Sequence, residues 1–177
     1  MKINTAILAA TLLATLSTSA LAGDVKIGNL TLENPVIRAT VPGAKVAGGY
    51  LLITNHGKTA DWLIGGSADF AQKIEIHEMA VVNDVMKMRK LAGGLEIPAG
   101  GSAQLMPGSY HVMFIGMKEQ MKKGEKRKAE LEFKNAGKTE VEFDVQSIAE
   151  TMKINKMGNG MMKGKMKMDG KMKMPGN

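Results

Sequence analysis

There is no cysteine anywhere in the 177 residues. That excludes an electron-transfer centre of the blue-copper type, which needs a cysteine thiolate beside two histidines and a weak axial methionine. It also removes the residue on which a lipid anchor is built, so a lipidated lipoprotein is not expected. Aromatic residues are scarce, at 4% of the chain. The net charge of +7 is unevenly spread: setting aside Lys2, the seven lysines beyond Thr151 and Asp169, the segment 23–151 carries sixteen charges of each sign. A neutral body with few stacking platforms offers nucleic acid little to bind, and that class is set aside. Long apolar runs are missing too. The run Ala6–Leu16 is shorter than the roughly 20 residues a membrane-spanning helix requires. With Lys2 before it and Ala20-Leu21-Ala22 after it, the run reads as a cleaved secretory signal over residues 1–22. No stable membrane insertion is expected of the remainder, and a bacterial periplasm is the expected location.

What the chain has in quantity is methionine: sixteen in all, eight of them between Met152 and Asn177. An ordinary core is better served by Leu or Val. Thioethers are soft, uncharged ligands that favour Cu(I) over hard ions, and unlike thiols they form no disulfides in an oxidising compartment. The pattern points to copper handling outside the cytoplasm.

Residues 23–150 are within the usual size of one domain. Short apolar or alternating runs fill them: Thr31–Leu32, Val36–Ala39, Tyr50–Thr54, Trp62–Ile64, Lys73–Val82, Val85–Leu91, Ser102–Leu105, Tyr110–Met117, Ala129–Phe133 and Glu140–Val145. Turn residues such as Asn34-Pro35, Pro98-Ala99-Gly100-Gly101 and Pro107-Gly108 separate them, and no long stretch has a helical period. This is the punctuation of an all-β sandwich of two antiparallel sheets with Greek-key connections. Residues 151–177 differ. Their large side chains are almost all Met and Lys among glycines, and Lys165-Met166-Lys167-Met168-Asp169-Gly170 is echoed by Lys171-Met172-Lys173-Met174-Pro175-Gly176. Such a segment cannot build a core and is expected to be a disordered, metal-capturing tail.

Strand alternation locates the candidate chemistry. In Lys73–Val82, Ile74 and Ile76 share one face while Glu75, His77 and Met79 share the other; in Tyr110–Met117, Val112 and Phe114 oppose His111 and Met113. Each strand therefore turns a histidine and a methionine away from the core, and Met88 on the intervening run supplies another thioether. Two imidazoles and two thioethers, from His77, Met88, His111 and Met113, suit Cu(I), with Cu(II) a second candidate. Such a site should hold copper and hand it on rather than cycle electrons. Only Glu75 and Glu78 lie close by, and neither demands an acid–base role, so the protein is not expected to be an enzyme. Protons compete for both imidazoles, so Cu(I) affinity should fall below pH about 6.5.

These residues also resemble a known family, the periplasmic copper chaperones of the PCu(A)C type, associated with supplying copper to the CuA centre of cytochrome c oxidase. The resemblance rests on His77-Glu78-Met79, Met88 after a gap, Ile97-Pro98-Ala99-Gly100, Pro107-Gly108-Ser109-Tyr110-His111-Val112-Met113 and Phe133-Lys134-Asn135-Ala136-Gly137. It implies a cupredoxin-like sandwich, the same four ligands, and an optional extra methionine at Met79. It also implies a copper acceptor as partner, the CuA subunit of cytochrome c oxidase or another assembly chaperone. Auxiliary capture would fall to Met161, Met162, Met166, Met168, Met172 and Met174. The tail admits two further readings, contact with an anionic membrane or acidic partner and sacrificial oxidation. An alternative function is a periplasmic copper-sequestering protein that buffers the metal without delivering it. Ordinary structural duty is expected of the rest: Met86, Met106, Met117 and Met121 as gap-fillers or surface residues, His56 in a turn, Trp62 in packing and 118–128 as a solvated loop.

Overall fold

In a computed structural model the described residues are 24–82 and 84–153, with the side chains of Val81 and Val82 left aside. The expected signal over 1–22, the auxiliary methionines from Met161 onward and nearly all of 151–177 lie outside them. The described residues form eleven strands, in chain order: β1 Val25–Ile27, β2 Leu30–Arg38, β3 Val46–Asn55, β4 Asp61–Ser67, β5 Lys73–Val82, β6 Val85–Lys90, β7 Leu95–Ile97, β8 Ser102–Leu105, β9 His111–Ile115, β10 Lys126–Phe133 and β11 Gly137–Gln146. A helical turn, α1, covers 148–153.

The all-β reading holds, and the pairing adds closure. Hydrogen bonding runs from β2 through β11, β10, β4, β5, β9 and β3, and β3 pairs back with β2. No strand within the ring is left at an edge, the usual liability of an open sandwich, while β1, β6, β7 and β8 each pair with a single ring strand. All pairings in it are antiparallel except β11 with β2, where Val145 lies beside Ile37. β3 is shared along its length, with β9 against 46–49 and β8 against 51–54. The two runs expected on either side of Asn34-Pro35 are one strand, because the break is a bulge rather than a turn: the register with β3 shifts between Glu33 and Val36, and Asn34 has φ 51°. A bulge accommodates proline's missing N–H, and asparagine tolerates that backbone region.

The core sits inside the ring. Leu32, Ile37, Ile53, Leu63, Val112, Phe114, Leu131, Val141 and Phe143 are all fully buried. Phe114 is central, with its ring 5.2 Å from that of Phe70 and 5.8 Å, edge-on, from that of Phe143. Met117 and Met121 are buried in the same core, as flexible thioethers filling irregular gaps. Met121 lies within the stretch read as a solvated loop; its backbone is tied to Thr40, which anchors that stretch. Trp62 is on the sheet exterior, half-buried beneath Lys134, whose Nζ is 4.7 Å from the ring centroid. α1 begins at a capping box: Ser147 N–H donates to the Glu150 carboxylate at 2.9 Å, and Glu150 N–H donates to Ser147 Oγ at 3.3 Å.

Candidate metal centre

β5 is the spine of the site. β9 flanks it on one side, with His111 directly opposite His77; β6 flanks it on the other, with Met88 directly opposite Met79 and Lys90 opposite His77. Directly paired residues of antiparallel strands point to the same face. All the candidate residues therefore share the face opposite Ile74, Ile76, Val112 and Phe114, as alternation predicts. The two imidazole rings are 5.8 Å apart between centroids.

Facing away from the core does not leave them open to solvent. His111 is 4% exposed and Met113 9%, whereas Met88 is 49% exposed. The cover comes from chain segments distant in sequence. Arg38, Val41, Val46 and Gly48 wall a cavity of about 440 Å³ that Met79, Met88, His111 and Met113 also line, and Ile148 of α1 closes one side. Gly48 is the register partner of Met113. A Cβ at 48 would come within 2.8 Å of the Tyr50 hydroxyl, so the glycine leaves room for that ring at the cavity wall.

The imidazoles are the most informative part. His77 donates from Nε2 to the Glu75 carboxylate at 2.8 Å, and His111 donates from Nδ1 to the Ser109 carbonyl at 3.1 Å. Both partners only accept, so each bond places the ring hydrogen on the bonded nitrogen. The other nitrogens, His77 Nδ1 and His111 Nε2, are buried with no hydrogen-bond partner. Buried polar atoms are rarely left unsatisfied. Two imidazole lone pairs without partners thus lie on facing strands beside methionines, an arrangement able to donate to a soft electrophile. Burial pushes the His111 pKa below its usual 6.5, an effect opposed by the Ser109 bond and reinforced by His77 and Arg38, and this keeps the ring neutral as a ligand must be. Glu75 is held at about 2 by its hydrogen bonds from His77, then Lys73 and Lys90, and so remains an anion.

Among the described residues no group of three or more His, Cys, Asp or Glu could hold a metal ion. Beside the two imidazoles the neighbouring side-chain donors are thioethers, of Met79, Met88 and Met113, and these favour soft ions. Met79 is better placed than an optional extra, since it lines the cavity with Met88. Met106 is buried and Met86 exposed on the β6 arm. His56 lies elsewhere, with Nε2 3.1 Å from Thr31 Oγ1. Alternation places Glu75 on the same face as His77 without giving it a role there; in the structure it accepts from His77 Nε2.

Residues 30–145 match the model of the family described as LpqE-like, about two thirds of the chain. The chain belongs to the LpqE-like family. A curated relative, named "Putative lipoprotein Lxx21020", from Leifsonia xyli subsp. xyli, is 27% identical over 97 residues, or 55% of this chain. The chain thus matches only 58% of that relative's length. Among solved structures, this LpqE-like chain superposes on the apo PCuAC domain from PmoF1 with TM-score 0.60 at 24% identity, covering 71% of this chain and 99% of that one. The copper-bound PCuAC domain from PmoF2 gives 0.60 at 21% identity, with 71% and 98% covered. The solution structure of CuI-DR1885 from Deinococcus radiodurans gives 0.52 at 23%, with 73% and 85% covered. The fold is that of PCuAC domains, and the family reading made from the sequence is borne out. No helix among the described residues is long and apolar enough to cross a membrane.

Proposed function

We propose that this LpqE-like protein is an exported copper chaperone that holds one Cu(I) between His77 Nδ1, His111 Nε2 and the thioethers of Met88 and Met113, and passes it to an acceptor protein. The observation that carries this reading is the pair of buried, unpartnered imidazole nitrogens on directly paired residues of β5 and β9. Two nitrogens and two soft sulfurs satisfy Cu(I), and without a thiolate the site has little reason to cycle electrons. The similarly folded copper-bound PCuAC domain from PmoF2 and CuI-DR1885 support the choice of metal. Met79, beside Met88, is the first auxiliary ligand. The methionines outside the described residues would capture further copper, and the acceptor we favour is the CuA site of cytochrome c oxidase, reached in the periplasm.

The half-exposed Met88 supports delivery over sequestration. An acceptor's sulfur can displace this thioether without disturbing the buried ligands, so the ion can be shared between two proteins before it leaves the first. The test is stopped-flow transfer of Cu(I) to a copper-free, soluble CuA domain. A chaperone transfers faster than it releases copper to an excess of chelator, with a rate that rises with acceptor concentration. A rate equal to spontaneous release and independent of the acceptor would favour a sequestering protein.

A further inference from the structure

We infer that Glu75 is a positioning residue for the proposed copper site: it selects which nitrogen of His77 meets the ion and ties the Met88 arm to that imidazole. The inference rests on the copper-binding reading above and adds a residue that alternation alone left without a role.

One carboxylate oxygen, Oε2, accepts from His77 Nε2 at 2.8 Å. The other, Oε1, accepts from Lys73 Nζ at 2.9 Å and from Lys90 Nζ at 3.2 Å. The two oxygens thus do different work. Oε2 fixes the tautomer, because an ionised carboxylate only accepts; the hydrogen must sit on Nε2, which leaves the lone pair on Nδ1, a buried atom with no hydrogen-bond partner. A free histidine has no such restriction. Oε1 reaches across to β6, where Lys90 is the register partner of His77 and lies two residues from Met88, on the same face. β6 is exposed along its whole length. On this face, Lys90 to Glu75 is the bond that couples the imidazole to the arm carrying the thioether.

His111 reaches the complementary state by another route. Its Nδ1 donates to a backbone carbonyl only two residues away, at Ser109, so its bare atom is Nε2. The site therefore presents one Nδ1 and one Nε2. The backbone fixes the second whatever its neighbours are, whereas the first depends on a side chain that a single substitution removes. A carboxylate that accepts from the far nitrogen of a ligating imidazole orients the ring and raises its basicity, and its loss typically weakens metal binding about 10–100-fold.

The test uses the full chain with ¹⁵N-labelled histidine. Long-range ¹H–¹⁵N correlation on the metal-free protein should find His77 hydrogenated at Nε2. In Glu75→Ala the two tautomers should mix while His111 stays unchanged, and Cu(I) affinity by chelator competition should fall about 10–100-fold. Glu75→Gln, whose side-chain carbonyl still accepts, should restore the tautomer and part of the affinity. Glu140→Ala, which breaks an ion pair with Lys128 on another part of the barrel, should change neither reading. A Glu75→Ala protein with the wild-type tautomer and affinity would overturn the inference, as would a wild-type His77 hydrogenated at Nδ1. If the tautomer follows Glu75 but the wild type itself binds no Cu(I), the copper reading fails while the control of the imidazole by Glu75 stands.

Discussion

The two strands that flank β5 are opposites. β9 has four of its five side chains buried, with Val112 and Phe114 locked in the core and His111 and Met113 under the cavity wall, whereas all six residues of β6 are exposed. Both contribute to one site. A proposed ligand on β9 is fixed by the packing of the barrel, while among the described residues one on β6 is held by the hairpin pairing with β5 and by two side-chain links, Lys90 to Glu75 on one face and Arg89 to Glu78 on the other. Dense interiors resist displacement and exposed arms do not. The proposed site is thus half anchored and half detachable, an arrangement that would suit a cargo to be held and then released.

The largest break in this comparison is expected at the anchored half. His111→Ala should weaken Cu(I) binding about a hundredfold or more, some 2.7 kcal/mol, by chelator competition; a loss under tenfold would remove His111 from the ligand set. A smaller contrast separates the two thioethers. Leucine nearly conserves methionine's volume, so each Met→Leu exchange should cost less than about 1.5 kcal/mol of fold stability. Met113→Leu should lower affinity more than Met88→Leu, while Met88→Leu should slow transfer to an acceptor more than it lowers affinity. Equal effects on both quantities would erase the distinction between the halves.

Acid sharpens the comparison further. Burial lowers the His111 pKa, so at mildly acidic pH the unfolded chain binds a proton that the folded chain refuses. The stability contributed by this neutral imidazole is present above pH about 6.5 and is lost as pH falls below it. Thermal unfolding of the metal-free protein between pH 7 and 5 should show this slope, and His111→Gln should flatten it. Persistence of the full slope in that variant would assign it to other groups. The smallest effect is expected at the outer face of the arm. Arg89→Ala should change stability by less than about 1 kcal/mol, as for other exposed ion pairs, and should leave Cu(I) affinity unaltered.

How much of this was legible in the sequence depended on whether the cause was local. Alternation placed Ile74 and Ile76 opposite His77 and Met79, and Val112 and Phe114 opposite His111 and Met113, because period two is a property of the strand itself. The same rule put Glu75 beside His77, but nothing local shows that its second oxygen would meet Lys90. β1 and β7 were missed because three residues are too few to display a period, and each is held by its pairing with β2 or β4. α1 was missed for lack of length, although Ser147 and Glu150 spell a capping box. The cavity over Met113 could not be read at all: its wall is brought in from 38–48 and 148 by the closure of the barrel, so side chains that alternation turned away from the core are buried on their second face as well.

The most direct test of the central claim is an anaerobic Cu(I) titration of the full chain against a chromophoric chelator. Three variants would be run beside it: His111→Ala with Met113→Ala, Met88→Ala, and one with Met161, Met162, Met166, Met168, Met172 and Met174 all changed to leucine. The account predicts that the multiple leucine variant keeps one tight equivalent, that Met88→Ala weakens it, and that the double variant loses it. Loss of tight binding in the leucine variant, with full retention in the double variant, would contradict the account and move the copper site off the barrel.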